Sequence, residues 1–220
     1  MWNKVHAALR NVLSGGVSVF KRNQSEGLPV WLIVGLGNPD REHAGNRHNI
    51  GFMALDRVVH DLNLPEWRKR FQGFTTEGQF NGIRAVLLKP QTYMNVSGRS
   101  VREAANFYKI PPEKIIVLHD ELDLPLGKVK VKTGGGAAGH NGLKSIDADT
   151  GTQNYIRVRM GIGHPGDRAR VSGYVLSDFT PDERHVVDIL CAGVSRHMAL
   201  LLSAREADFM TKIAEETKEH

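Results

Sequence analysis

Within residues 33–52, "IVGLGNPDREHAGNRHNIGF", a cluster of polar side chains follows an apolar run: Asn38, His43, Asn46, His48 and Asn49. Asn95 lies in "PQTYMNVSG", Asp120 opens "DELD", and His140 and Asn141 lie in "GGGAAGHNGLKS". Imidazole titrates near neutrality, and a carboxylate on its other nitrogen fixes the tautomer, raises the basicity and stabilises the imidazolium. His48 and Asp120 are the residue types for that pair. Asparagine amides donate and accept without charge, so Asn38, Asn95 and Asn141 suit peptide-like groups or a developing oxyanion. The chemistry this set describes is water attacking an ester or amide.

Other chemistries lack their residues. Gly35 and Gly37 open a dinucleotide fingerprint, but its third glycine position is Asp40, so the backbone approach to a pyrophosphate is blocked. The Gly-rich loop at 134–145 fails as a P-loop because Leu143 stands where glycine must precede Lys144. There is no G-x-S-x-G elbow and no H-E-x-x-H helix. His48, His119, His140, Asp120, Glu121 and Asp123 share no recognised ligand spacing, so the expected mechanism is metal-free. Cys191, the single cysteine, excludes an internal disulfide, fits a reducing compartment and reads as core filler.

Three buried-type strands must position the set. "VWLIVG" at 30–35, "AVLLK" at 85–89 and "IIVLH" at 115–119 are short apolar runs of the kind buried on both faces. Between them, Asn49 can cap a helix with its apolar face at Phe52, Leu55, Val58, Val59 and Leu62, and a second helix runs from about 98 to Pro111. Alternating strands and helices imply a largely parallel, doubly covered sheet, with ligands beyond the carboxyl ends of its strands. Asn38 with His48, then Asn95, then Asp120 all fall at that edge. Thr180, Pro181 and Glu183 form a capping box for a C-terminal helix, while "HPGDRARVSG" at 164–173 reads as a mobile loop.

The 220 residues, 40% hydrophobic, suffice for one domain. A net charge of +5 admits a polyanionic partner without requiring one. "KVKVK" at 128–132 and "IRVRM" at 156–160 alternate strictly, so Lys128, Lys130, Lys132, Arg157 and Arg159 form one basic patch if the two strands are neighbours. Residues 1–29 read as a basic, amphipathic extension ahead of a domain at 30–220. No segment reads as a membrane span or a cleaved secretory leader, so the expected protein is soluble, cytoplasmic and without a membrane partner.

"GLGNP", "RHNIGF", "KPQTYMNVSG", "HDELDLPLG", "GHNGLKSI" and "RVRMGIGHPG" follow one another in an order and spacing that resemble bacterial-type peptidyl-tRNA hydrolase over about residues 31 to 200. The resemblance implies a single α/β domain with a mixed, largely parallel central sheet covered by helices on both sides. It implies hydrolysis of the ester between a peptide and the terminal ribose of tRNA, without metal or cofactor, by a monomer. By motif position His48 is the base, Asp120 its supporting carboxylate, and Asn38 a residue that positions substrate. His43, Tyr93, Asn95, His140 and Asn141 fall among substrate-binding positions, and Lys130, Lys132 and Arg159 where the acceptor stem's phosphates are met. His43 stands where the family usually has Tyr, and Ala137 where it has His. A different class, an RNA-binding module of the splicing-factor type on the same scaffold, and a metal-dependent phosphohydrolase using "DELD" are the alternatives.

Overall fold

A computed structural model describes residues 30–218; the basic extension expected at 1–29 lies outside them. The first apolar run forms β1 (Trp31–Gly35), and α1 (Ile50–Asp61) follows. Three strands come next: β2 (Arg68–Arg70), β3 (Gly73–Phe80) and β4 (Ile83–Pro90). Then come α2 (Ser97–Tyr108), β5 (Ile115–Glu121), β6 (Val129–Thr133), α3 (Asn141–Thr150) and β7 (Ile156–Gly161). A short α4 (Val171–Val175), α5 (Pro181–Leu202) and α6 (Glu206–Glu216) complete the described chain.

The strands form one sheet in the order β2-β3-β4-β1-β5-β7-β6. The four central strands run parallel, and antiparallel pairings close both edges. Side chains alternate across a strand, so Trp31 and Ile33 enter a core shared with α1, α5 and α6, while Leu32 and Val34 enter a second core shared with α2 and α3. This double burial explains the continuous apolar runs. The architecture is the expected α/β domain with helices on both sides, although the parallel character is confined to the centre.

β6 and β7 are adjacent, with Lys130 opposite Arg159 and Lys132 opposite Arg157. Their apolar residues Val129, Val131, Val158 and Met160 join the α5 and α6 side. The basic side chains therefore share the other face, as strict alternation requires.

Three expectations are corrected. Asn49 occupies the N-cap position of α1 but its side chain makes no cap bond, because its amide is engaged elsewhere. The segment at 164–173, expected to be a mobile loop, contains a 3-10 turn at Arg168–Arg170 and the start of α4, with the Asp167 carboxylate accepting from the Ala169 N–H. Helix α5 is long and apolar enough to cross a membrane by length and composition, yet it lays Val187, Leu190, Val194 and Met198 into the core. The stretches forming β2, β3 and α6 carried no strand or helix expectation.

Two glycines set the spacing at the sheet edge. A Cβ on Gly35 would lie 2.3 Å from the Gly51 carbonyl oxygen, and one on Gly51 would lie 2.5 Å from both the Leu118 carbonyl oxygen and the Leu36 nitrogen. The first turn of α1 thus rests directly on the ends of β1 and β5. Helix propensity alone favours Gly51→Ala by about 1 kcal/mol, whereas overpacking against backbone costs roughly 1–3 kcal/mol. Gly51→Ala is therefore expected to lower the denaturant midpoint; a stabilised variant would contradict this close approach.

Candidate active site

Beyond β1 the Leu36 N–H continues the strand ladder by donating to the Leu118 carbonyl at 3.0 Å. The chain then turns at Asn38, where the Asn49 side chain clamps the backbone. Asn49 Oδ1 accepts from the Asn38 N–H and Asn49 Nδ2 donates to the Asn38 carbonyl, both at 2.9 Å. Asn38 Oδ1 accepts from the Met94 N–H at 3.0 Å, tying the end of β1 to the turn after β4. With its oxygen committed, Asn38 is left with Nδ2 as an amide donor that has no partner among the described residues. The sequence offers Asn49 as a helix cap and gives no sign of this clamp.

His48 occupies a 3-10 turn just before α1, and Asp120 sits near the end of β5. His48 Nδ1 lies 2.7 Å from Asp120 Oδ1, and His140 Nε2 lies 2.9 Å from the same oxygen. Burial opposes ionisation of Asp120, but the two imidazoles outweigh it and hold the carboxyl well below the usual range. An ionised carboxylate only accepts, so both ring nitrogens donate to it. His48 therefore carries its proton on Nδ1 and keeps Nε2 as a lone pair. Burial also opposes the imidazolium of His48, yet the Asp120 charge and hydrogen bond raise its pKa above the ordinary value of 6.5. This is a base with its tautomer set.

His140 is the N-cap of α3, and its Nδ1 accepts from the N–H groups of Gly142 at 3.1 Å and Leu143 at 3.3 Å. Both of its nitrogens are occupied. The ligand atoms of His48, Asp120 and His140 lie within 4.8 Å of one another, close enough to raise the question of a cation. A metal on His140 Nε2 would require a proton on Nδ1, which would then face two backbone donors. The cap thus makes this trio a poor ligand set.

His119, absent from the expected site, is buried beside these rings. Its Nδ1 donates to the Asp120 carbonyl at 2.7 Å while Nε2 has no partner among the described residues. Burial, reinforced by His140, pushes its pKa down to about 3, so it is a neutral wall rather than a second base.

These side chains open on a cavity of about 730 Å³ whose walls include His48, Asp120, His140, Asn141, Lys132 and Arg159. Lys144, Arg157, His164 and Arg168 also line it. Asn38, His43, Tyr93, Asn95 and Lys130 are not among its walls. Tyr93 is 60% exposed, and Asn95 is exposed within the 3-10 turn Met94–Val96. His43 is half-buried, its Nδ1 3.7 Å from the Asp40 carboxylate.

The basic side chains are not equivalent. Arg159 gives Nε to Glu121 at 2.7 Å and keeps the rest of its fork. Arg157 is buried, donating to the Gly136 carbonyl at 2.8 Å and to Asp147 at 3.3 Å, and so braces the Gly-rich loop. Lys130 and Lys132 are exposed. Arg47, also missed, lies under the segment that carries α4: it donates to Glu183 at 2.7 Å and stacks on Tyr174 and Phe179. A basic residue between polar neighbours gives no sequence signal of such burial.

The family model described as peptidyl-tRNA hydrolase matches residues 32–220. The peptidyl-tRNA hydrolase of Methylocella silvestris is 59% identical over 182 residues, covering 83% of this chain and 92% of that protein. That of Acidiphilium cryptum is 57% identical over 189 residues, covering 86% and 98%. The crystal structure of peptidyl-tRNA hydrolase from Acinetobacter baumannii is similar with a TM-score of 0.78 at 40% identity, covering 84% of this chain and 94% of that one. On matches of this extent, the chain belongs to the peptidyl-tRNA hydrolase family.

Proposed function

We propose that His48 is the general base with which this chain hydrolyses the ester of peptidyl-tRNA. The observation that carries the reading is the 2.7 Å contact of His48 Nδ1 with the buried Asp120 carboxylate, which leaves Nε2 as the basic atom in a wall of the cavity. Nε2 takes a proton from water as its oxygen bonds to the ester carbonyl. The tetrahedral intermediate then collapses, the bond to the ribose oxygen breaks, and the imidazolium returns the proton to that leaving oxygen. The free Nδ2 of Asn38 and the side chain of Asn141 suit the carbonyl and the developing oxyanion. Asn95, Tyr93 and His43 are assigned to the substrate's peptide and ribose end outside the cavity. No step calls for a metal or a cofactor.

Lys130, Lys132 and the free fork of Arg159 share one face of the sheet edge and suit the phosphates of the acceptor stem. The same reading takes the chain to act as a monomer in the cytoplasm on tRNA that translation supplies.

His48→Ala is expected to lower kcat on N-blocked aminoacyl-tRNA by roughly two to four orders of magnitude while tRNA binding persists; equal loss of binding would make the histidine structural. The neutral form of His48 is the active one and its pKa is raised, so kcat/KM should climb with pH through an inflection above 6.5. Asp120→Asn removes the raising charge and leaves the burial, so the inflection should move to lower pH as the rate falls. An inflection unmoved by that substitution would assign the titration to another group. Phosphate contacts release counterions, so Lys132→Ala should reduce the salt slope of tRNA affinity by about one unit and spare a minimal aminoacyl-nucleotide ester. If both substrates slow equally, Lys132 is not a docking residue.

A further inference from the structure

We propose that His140 is a positioning residue that transmits the N-terminus of α3 to Asp120 and so fixes the rotamer of the carboxylate that orients His48. This rests on the reading of His48 as the base, and it reassigns His140 from the substrate-binding group. The first ground is occupancy: Nδ1 is committed to the N–H groups of Gly142 and Leu143, and Nε2 to Asp120 Oδ1. No ring nitrogen remains for substrate.

The second ground is the form of the Asp120 contact. Its carboxylate is held through a single oxygen, Oδ1, by two donors arriving from different elements. One donor alone would leave the group free to turn about its Cβ–Cγ bond and offer Oδ2 instead. A second donor on the same oxygen, itself pinned to a helix end, removes that freedom. The ring is also gripped, because the centroids of His48 and His119 each lie 5.0 Å from that of His140.

The third ground is the choice of residue. Asn, Asp and Ser are the stronger N-caps, and any of them would close α3 without a ring. Imidazole sets an acceptor close to the backbone and a donor one atom farther out, so it caps the helix and reaches Asp120 together, whereas the amide nitrogen of an asparagine stops short. The two duties can therefore be separated. His140→Asn puts an amide oxygen near the place of Nδ1 and keeps the cap while losing the donor to Asp120. His140→Gln extends an amide nitrogen toward the place of Nε2 and keeps the donor while weakening the cap.

The experiment measures both variants in the full chain. His140→Asn should melt close to the unsubstituted protein, with KM little changed and kcat lower by roughly tenfold or more, the scale of lost supporting partners at other sites. His140→Gln should melt lower and recover part of that kcat. A risen KM at constant kcat in His140→Asn would restore a substrate-binding role, and kcat falling only in step with melting temperature in both variants would leave a cap and nothing more; either overturns the proposal. Imidazole 15N shifts decide independently of turnover: His140 should show Nε2–H with a bare Nδ1 near neutral pH, and the opposite tautomer would refute the relay. If the unsubstituted chain failed to cleave N-blocked aminoacyl-tRNA, the hydrolase mechanism would fall while the shifts still judged the relay.

Discussion

A carboxylate that is 4% exposed and ionised must find its hydrogen bonds inside the protein, and the site follows from how Asp120 does so. Both of its imidazole donors reach one oxygen. Because an ionised acceptor dictates that each partner donates, the carboxylate sets the tautomer of His48 and leaves the far nitrogen basic. The same contact bears on folding. The pKa of Asp120 is depressed in the native state, so its contribution to stability is present above the unfolded carboxyl value and is lost as pH falls toward the native one. The pKa of His48 is raised, so its contribution is full below the unfolded histidine value and fades as pH rises through the native one.

Such a contact needs a scaffold that brings distant segments to one edge. Parallel strands place Asn38 after β1, the Met94 turn after β4 and Asp120 at the end of β5, all on the same side of the sheet. Gly35 and Gly51 let α1 settle onto that edge with backbone in contact with backbone, which lowers His48 onto Asp120. From the outside, Arg47 ties the turn holding His48 to the start of α5, and Asn46 donates to Asp178 at 2.7 Å. The basic face of β6 and β7 extends the same edge into a surface suited to a polyanion.

The central strands and their order along the chain were legible because burial on both faces writes itself as an unbroken apolar run. The meeting of His48 with Asp120 was legible for the same reason, through the rule for strand ends. β3 was not, since "GFTTEGQF" pairs threonines and glycines whose strand state comes from the antiparallel ladder to β4. The start of α4 was hidden behind Gly163, Pro165 and Gly166, which signal a turn while giving no sign of the helix beyond it. Side-chain duties were least legible. Asn49 at a helix start reads equally as a cap or as a clamp, and His140 reads as a ligand until both ring nitrogens are found occupied. Arg47 depends on Glu183, Tyr174 and Phe179, more than 120 positions away in the chain, so its burial is a product of the fold alone.

The most direct test of the account is an NMR titration of the His48 ring in the full chain, following its two imidazole nitrogens across neutral pH. The account predicts a neutral form protonated at Nδ1 with Nε2 bare, and a titration midpoint above 6.5 that drops when Asp120 is replaced by asparagine. A neutral form protonated at Nε2, or a midpoint indifferent to Asp120, would contradict the claim that this buried carboxylate makes His48 the base.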